Sequence, residues 1–326
     1  MTDPIQNSLS ILGKNYEIMC KIGEGQSSSV YKIFNNQYQR HFAAKVVPIH
    51  EGQEKSVADK VNNEINILNS INHPNIIRIY DFFREDSSFF IIFEDCSGGR
   101  LETLISISRY ISQPQLQFYS LKILQAIDCI HSNNFAHCEI NPSNILIDGH
   151  DQPKLIHFRN AVTPKNKHVY SVPNSDLHFL APEALLPESY DAEKADIWSL
   201  GVLFYYMATG KFPWSATTPA EMLQQMRFTP LSFPDNVPED FQISIKKMLE
   251  IRPNQRPTTK ELLQDSFFIA ALKVKLAHST SSTSKRLSCV SGQTCKSMLQ
   301  PKILQSDTNR LRKRYSMVPK ANQSFF

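Results

Sequence analysis

The sequence predicts an α+β fold in which a small β-rich lobe precedes a larger helical lobe. Short β-like runs fill most of residues 16–93 and are interrupted by one helical stretch, whereas apolar residues at helical spacing dominate from Glu102 onward. Residues 94–99 lie between the two patterns and are predicted to connect them. Of the 326 residues, 41% are hydrophobic and 20% are charged, which is typical of a folded chain with a substantial core.

The β-rich lobe is predicted to contain one helix among its strands. Four apolar residues recur there at helical spacing, namely Val57, Val61, Ile65 and Leu68. The same spacing places Glu64 on the inward face of the helix. The predicted strands cover residues 16–22, 29–34, 42–48, 76–80 and 89–93.

Helix boundaries can be predicted in the helical lobe. One helix is predicted over residues 192–207 and should end before Gly210, because glycine is favourable just past a helix end. Two further helices are predicted to begin after Thr218 and Thr258. Each of these threonines is followed three residues later by a glutamate, the pattern of a reciprocal N-terminal cap.

Several classes of protein are excluded by the same sequence. The longest apolar run, residues 200–208, has nine residues, and about 18 are needed to span a bilayer. Residues 1–12 lack the basic and apolar regions of a secretion signal. The six cysteines form no Cys-x-x-Cys pair and no zinc-type spacing with histidines. We therefore expect free thiols and a cytoplasmic protein without a membrane span, with the nucleus open as a second compartment.

The C-terminal part of the chain differs in charge from the rest. Residues 273–326 contain 11 Lys/Arg and one acidic residue, a charge of +10, whereas residues 1–272 contain 24 basic and 30 acidic residues, a charge of −6. Residues 279–326 are poor in apolar positions and are predicted to be a basic, disordered tail. This tail is expected to contact acidic partners. The basic run at residues 310–314 fits either a nuclear-import signal or an ordinary solvated charge run.

Motifs that carry chemistry begin near the N-terminus. Gly23-Glu24-Gly25 separates the first two predicted strands, and such a hairpin either brings backbone amides close to phosphates or is an ordinary turn. Lys45 lies in the third predicted strand, where Glu64 could hold its ammonium toward phosphates. The motifs that follow in order are Ala181-Pro182-Glu183, Asp196-Ile197-Trp198-Ser199-Leu200-Gly201 and Arg252-Pro253-Asn254-Gln255-Arg256-Pro257.

In this order the motifs resemble the eukaryotic protein kinase family over about residues 16–268, most closely the Ser/Thr kinases of the calcium/calmodulin-dependent group. The resemblance implies a two-lobed protein kinase fold, with ATP in the cleft under the Gly-rich loop and Lys45 paired with Glu64. It also implies that Glu183 pairs with Arg256 and that Asp196 anchors the catalytic loop. The implied divisions are an N-terminal extension at 1–15, an N-lobe at 16–93, a hinge at 94–99 and a C-lobe at 100–268.

The resemblance further assigns the walls of an adenine pocket. Val30 and Ala43 would lie above the base, Leu146 below it and Phe93 behind it. The residues assigned to the nucleotide are Ile22, Gly23, Gly25, Val30, Ala43, Lys45, Glu64, Phe93, Glu94, Cys96, Leu146 and His157. The apolar members would serve equally well as ordinary core residues, so both interpretations stay open at this point.

The resemblance breaks down at the catalytic positions. Glu139 stands where the family has its base Asp, and His157-Phe158-Arg159 stands where it has Asp-Phe-Gly. Asn141 replaces a lysine, and Asn144 alone remains of the usual Mg²⁺ ligands. Because Mg²⁺ prefers hard oxygen ligands, the sequence predicts a weakened or absent Mg²⁺ site. The candidate catalytic residues are Glu139, Lys45 and Asn144.

Two functions follow from these replacements. The first is a pseudokinase that binds ATP and acts as a signalling scaffold or allosteric regulator. The second is a weakly or atypically active ATP-dependent Ser/Thr protein kinase that uses Glu139 as its base, with Asn144 and substrate oxygens holding a metal. The regulatory positions are altered too, since Cys138 replaces the arginine that would pair with a phosphorylated activation loop.

The cleft also gains basic residues where the family has a carboxylate and a glycine. His157 would supply a switchable cation and Arg159 a permanent one, so phosphates could be neutralised without metal. Nucleotide binding should then strengthen below about pH 6.5, the reference pKa of histidine. The alternative is that Arg159 points to solvent.

Overall fold

The computed structural model describes residues 16–25, 27–85, 87–162, 168–169 and 176–272. The predicted N-terminal extension and the basic tail lie outside the described residues. Within the described ranges, no helix has both the length and the apolar character that crossing a membrane requires.

The N-lobe is an antiparallel sheet of five strands with one helix packed against it. In spatial order the strands are β1 (Tyr16–Gly25), β2 (Ser28–Asn35), β3 (Arg40–Pro48), β5 (Ser88–Glu94) and β4 (Ile79–Glu85). Helix α1 (Glu54–Ser70) buries Val61, Ile65 and Leu68, which confirms the apolar face predicted from the sequence. Glu64 is buried on the same face.

The first strand is longer than predicted. It continues through Gly23 and Gly25, and Gly25 pairs with Ser28 at the end of the hairpin. The two glycines therefore belong to the end of the strand, and the chain reverses after them.

The fourth strand begins later than predicted, at Ile79 rather than at residue 76. Ile76 and Ile77, which lie just before this strand, contact the other lobe instead of the sheet. Ile76 forms a parallel bridge with Leu155, and the amide of Ile77 donates to the carbonyl of Leu155 at 2.9 Å. Apolar residues that looked like a strand thus connect the two lobes, a pairing that local periodicity does not encode.

The C-lobe is mainly helical and has its core around α3 and α4. Leu124 and Ile127 of α3, and Trp198 and Leu203 of α4, are fully buried. The short strands form a three-stranded sheet, β6-β7-β8, and a separate pair in which β10 lies against β9. The elements are β6 (Gly99–Arg100), α2 (Leu101–Ser108), α3 (Gln113–Ser132), β7 (Ile145–Ile147), β8 (Pro153–Leu155), β9 (His168–Val169), β10 (Tyr190–Asp191), α4 (Ala192–Thr209), α5 (Pro219–Phe228), α6 (Glu239–Met248), α7 (Thr259–Leu262) and a last helical segment at 266–272.

The predicted helix ends are largely confirmed. Helix α4 ends at Gly210, whose φ of 69° lies in the left-handed region that favours glycine. Thr258 forms the predicted reciprocal cap with Glu261. At α5 the hydroxyl of Thr218 accepts from the amide of Glu221, but the Glu221 carboxylate accepts from the Thr217 hydroxyl instead of completing the reciprocal cap.

Candidate nucleotide site

A cavity of about 380 Å³ lies between the sheet of the N-lobe and the helical lobe. Val30 of β2 and Ala43 of β3 line it from the sheet, and Leu146 of β7 lines it from the C-lobe. This volume falls within the range of small-molecule pockets, about 300–1,000 Å³. Of the residues assigned from the sequence, those at the cavity are Ile22, Gly23, Val30, Ala43, Lys45, Glu64, Phe93, Glu94, Cys96, Leu146 and His157. Gly25 does not line the cavity.

Lys32 and Asp95 line the same cavity and were missed by the sequence reasoning. The Lys32 ammonium lies 3.3 Å from the Asp95 carboxylate, so the pair joins β2 to the hinge. Alternation along β2 could have identified Lys32, because residues two apart share a strand face and Val30 was already assigned to the cavity.

A buried ion pair crosses the back of the cavity between β3 and α1. The Lys45 Nζ atom lies 2.7 Å from Glu64 Oε2 and 3.0 Å from Oε1. Lys45 and Glu64 are only 9% and 3% exposed. The sequence prediction that these two residues meet is therefore correct in geometry.

The ionisation of Glu64 is held by its neighbours. Burial alone would raise the pKa of this carboxyl group, but the charge and hydrogen bonds of Lys45 lower it below the ordinary value. The backbone amide of Phe158 also donates to the carboxylate. Glu64 is thus a buried carboxylate that stays ionised beside its lysine.

His157 and Asn144 are joined by a direct hydrogen bond. The side-chain amide of Asn144 donates from Nδ2 to the carbonyl of Glu139 at 2.8 Å, which turns its Oδ1 toward His157. Since Oδ1 can only accept, His157 donates its Nδ1 proton across a distance of 2.6 Å. The Asn144 oxygen that a cation would need is therefore occupied by an imidazole.

His157 does not act as a cation near neutral pH. Burial, followed by the charges of Lys45 and Arg159, lowers the pKa of its imidazole from 6.5 to about 3, although the Glu64 carboxylate acts in the opposite direction. The prediction that His157 gains a proton below about pH 6.5 is wrong for this reason, and the stronger nucleotide binding expected from that proton loses its basis. The backbone of His157 has a φ of 66°, a conformation that His, Asn and Asp adopt more readily than most residues.

The carboxylate of Glu139 is held by the segment that follows His157. The side-chain amide of Asn160 donates to Glu139 Oε2 at 2.9 Å, and Arg159 Nη2 lies 3.8 Å from Oε1. Arg159 is therefore directed to Glu139, although its side chain is 36% exposed. Asn160 was missed by the sequence reasoning, since nothing in its local pattern distinguishes it from a surface amide.

The loop that carries Glu139 is held in place by hydrogen bonds to the Asp196 carboxylate. The Asp196 carboxylate accepts from the backbone amides of His137 and Cys138 at 2.7 and 2.8 Å, and from the Nε2 proton of His131 at 3.0 Å. Burial, followed by the charge of Asp196, raises the pKa of the Cys138 thiol well above its ordinary value. Cys138 is consequently an uncharged residue inside the loop.

A second buried ion pair holds the helical lobe. Arg256 donates to both carboxylate oxygens of Glu183 at 2.6 and 2.8 Å and to the carbonyl of Glu250 at 2.7 Å. Its guanidinium also lies 5.0 Å from the ring centre of Trp198. The pairing implied by the resemblance is present, and it is extended by backbone acceptors and an aromatic face.

Comparison with known proteins agrees with this architecture. A family model described as the protein kinase domain matches residues 16–268. The chain belongs to the protein kinase family. The kinase domain thus covers both the sheet that carries Lys45 and the loop that carries Glu139.

Similar proteins include serine/threonine kinases. This chain is 29% identical over 264 residues to the cell cycle serine/threonine-protein kinase CDC5/MSD2 of Saccharomyces cerevisiae, covering 78% of this chain and 37% of the relative. It is 25% identical over 284 residues to CBL-interacting protein kinase 10 of Oryza sativa subsp. japonica, covering 86% and 63%. It is 28% identical over 222 residues to sperm motility kinase Z of Mus musculus, covering 68% and 45%. The chain therefore spans less than two thirds of the length of each of these relatives.

Kinases use ATP with Mg²⁺, and the two ends of this cleft fit those groups differently. The apolar walls around Val30, Ala43 and Leu146 fit an adenine ring, which the hinge backbone at residues 94–96 could recognise. The other end does not fit Mg²⁺, because the Asn144 oxygen accepts from His157 and no carboxylate stands at position 157. Among the described residues, no group of three His, Cys, Asp or Glu side chains is placed to hold a metal ion.

Proposed function

We propose that this protein kinase domain is a pseudokinase, which has lost phosphoryl transfer and acts as a signalling scaffold or allosteric regulator. The observation that carries the proposal is the hydrogen bond from His157 to Asn144, 2.6 Å long. These are the two positions at which kinases hold their metal ions. In this chain the neutral imidazole of His157 donates a hydrogen bond to the side-chain oxygen of Asn144. A metal ion is therefore missing from the place where it would neutralise the negative charge that develops on a transferring phosphate.

The position of the catalytic base supports the same proposal. Glu139 is held by Asn160 and approached by Arg159, so its carboxylate already has partners within the protein. A general base has to reach the hydroxyl of its substrate, and a displacement of about 1 Å can cost on the order of 10²-fold in rate. Asn141, where kinases have a lysine, accepts the amide of Asn144 with its Oδ1 at 3.0 Å and so stabilises the loop without adding charge.

The ion pairs and hydrogen bonds that the kinase resemblance implies for the fold are present. The residues at the catalytic and metal-binding positions differ from those of kinases. Lys45 with Glu64, Asp196 with the loop amides, and Glu183 with Arg256 all form close hydrogen bonds. A protein whose kinase shape persists in this way can still present surfaces to partners. Regulation or scaffolding is therefore the function that these contacts favour.

The proposal is tested by restoring the missing carboxylate. The wild type, the double variant His157→Asp/Glu139→Asp and the matched control His157→Asn are compared for transfer of labelled phosphate from ATP to protein substrates. Aspartate and asparagine both tolerate the backbone conformation at position 157, but only aspartate restores the charged carboxylate that holds Mg²⁺ in kinases. We expect transfer by the double variant alone. A wild type that transfers phosphate as fast as the double variant contradicts the proposal.

A second candidate function is a slow Ser/Thr kinase, which one observation favours. Glu139 keeps a carboxylate in the catalytic loop, and the intact Lys45–Glu64 pair could position phosphates. Substituting Lys45→Met separates the two functions. Activity that disappears in Lys45→Met belongs to this chain, whereas activity that persists belongs to a contaminating enzyme.

The charge of the chain suggests how partners are bound. Residues 273–326 carry +10 and residues 1–272 carry −6, so acidic partners would be attracted to the tail and repelled by the rest. Truncation after residue 278 is expected to abolish the salt-sensitive part of binding to an acidic partner protein. Unchanged binding and unchanged salt dependence contradict this role of the tail.

A further inference from the structure

We propose that the cleft of this protein selects an uncharged adenosine-type ligand over nucleotide polyphosphates, and that it does so without metal. This inference rests on the proposed function, because it concerns the same cleft. It goes further by naming the chemical class of the ligand. The two ends of the cavity differ in charge and in polarity.

The single lysine at the back of the cavity is already compensated. Lys45 lies within 3.0 Å of both oxygens of Glu64, and both side chains are almost fully buried. The pair is neutral as a whole, and a phosphate approaching Lys45 also approaches the Glu64 carboxylate. In active kinases this repulsion is offset by metal ions that bridge the phosphates.

The second cation near the phosphate end is also paired. Arg159 Nη2 lies 3.8 Å from Glu139 Oε1, so these two residues again sum to zero. Binding a phosphate there would separate Arg159 from Glu139 and leave the 12% exposed carboxylate facing the phosphate. Lys45, Glu64, Arg159 and Glu139 together therefore offer no net positive charge to a triphosphate.

A metal ion cannot supply the positive charge that is missing at this end of the cavity. The Asn144 oxygen accepts from His157, and the position that would supply a carboxylate carries an imidazole. A polyphosphate entering the cavity would lose its hydration without gaining a metal bridge. The remaining cation that lines the cavity, Arg100 next to the hinge, already donates to the carbonyl of Ser143 at 3.2 Å. Burying phosphate charge without compensation at the Lys45 end is costly. Each phosphate added to the ligand should therefore weaken binding.

The other end of the cavity remains suited to an uncharged ring. Val30, Ala43 and Leu146 supply apolar surface, and Phe93 closes the same cavity next to the hinge. The ion pair between Lys32 and Asp95 connects β2 to the hinge at 3.3 Å and is neutral as a pair. Apolar walls with a few polar groups are typical of sites for flat heterocycles. The binding free energy should thus come from the nucleoside.

The test is a calorimetric titration of the full chain with adenosine, AMP, ADP and ATP. Each titration is done once with Mg²⁺ and once with a chelator. We expect adenosine to bind more tightly than ATP by at least about 10-fold, with AMP and ADP between them and no effect of Mg²⁺. ATP that binds as tightly as adenosine or more tightly overturns the inference, and so does a requirement for Mg²⁺ or the absence of binding by any of the four.

Two variants check that charge is the cause. Glu139→Gln removes the partner of Arg159, so the affinity for ATP should rise relative to the affinity for adenosine. His157→Asp should make ATP binding depend on Mg²⁺. If neither variant changes the ratio of ATP to adenosine affinity, the charge argument is wrong. These outcomes are distinct from failure of the proposed function, which is decided by phosphate transfer and not by affinity.

Discussion

His157 donates a hydrogen bond of 2.6 Å to the side-chain oxygen of Asn144, so the two positions where kinases bind metal are bonded to each other. In the proposed pseudokinase, an internal hydrogen bond thus stands where an active kinase would hold its metal. A similar replacement holds Glu139, which accepts from Asn160 at 2.9 Å. Both residues that differ from the kinase motifs, His157 and Glu139, form hydrogen bonds within the fold.

The depressed pKa of His157 predicts that the folded state loses stability in acid. Its pKa is about 3 in the folded protein against 6.5 for an ordinary histidine, so between these values only the unfolded chain takes up the proton. The free energy of unfolding should therefore fall as pH drops below 6.5, by about 2 kcal/mol at pH 5 from this residue. Urea denaturation at pH 7.5 and pH 5 measures the change.

The matched variant for this prediction is His157→Asn, which keeps a donor but cannot titrate. Its loss of stability between the two pH values should be smaller than that of the wild type. Some loss will remain, because burial also lowers the pKa values of His137 and His73. An equal loss in both proteins contradicts the role of His157.

Because Lys45 and Glu64 form a buried ion pair, replacing one of them should lower the free energy of unfolding more than replacing both. Lys45→Met leaves the Glu64 carboxylate buried without its partner, and we expect a loss of about 3–5 kcal/mol in the free energy of unfolding. Replacing both residues by apolar ones should cost less than the single change. The exposed pair of Lys247 and Asp265 is the control, and Lys247→Met should cost less than about 1 kcal/mol. A double variant less stable than the single one contradicts this prediction.

The hydrogen bonds of Arg256 predict that stability depends on the shape of its guanidinium as well as on its charge. Its guanidinium binds both oxygens of Glu183 and the carbonyls of Glu250 and Lys194. Lysine keeps the charge but cannot form this set of bonds, so Arg256→Lys should lower the free energy of unfolding by about 3 kcal/mol. Arg252→Lys, at an exposed position, should change it by less than about 0.5 kcal/mol. Thermal or urea denaturation of both variants is the measurement, and equal effects would show that the bonding pattern does not matter.

Two glycines with similar backbone angles should respond differently to alanine. Gly52 and Gly210 have φ values of 79° and 69°, but a Cβ atom at Gly52 meets nothing within 4 Å, whereas one at Gly210 would lie 1.6 Å from the carbonyl oxygen of Arg109. We expect Gly52→Ala to cost about 1 kcal/mol from backbone strain alone. Gly210→Ala should cost about 3 kcal/mol or more, because the contact adds to the strain. Similar melting temperatures for the two variants would contradict the close approach of α4 to Arg109.

Sequence reasoning succeeded where a residue's role follows from its type and its motif. Lys45 and Glu64 are separated by 19 positions, yet helical spacing placed Glu64 on an inward face and the resemblance to kinases paired it with Lys45. The two-lobed fold was predicted in the same way, because β and helical patterns occupy different parts of the chain. Both predictions rest on residue type and on the order of motifs along the chain.

Sequence reasoning failed where a property depends on contacts between distant segments. The electrostatic surroundings of His157 come from β3, α1 and the catalytic loop together, so its pKa could not be assigned from the residue type. Ile76 looked like part of a strand, but it pairs with Leu155 of the other lobe. The contact of Asn160 with Glu139 depends likewise on how two loops fold against each other.

The uncharged thiol of Cys138 has a consequence for the control of this protein in the cell. Its loop is fastened through backbone amides to Asp196, inside the lobe, and not through a cation that an added phosphate could attract. Phosphorylation of a neighbouring segment should therefore leave the position of this loop unchanged.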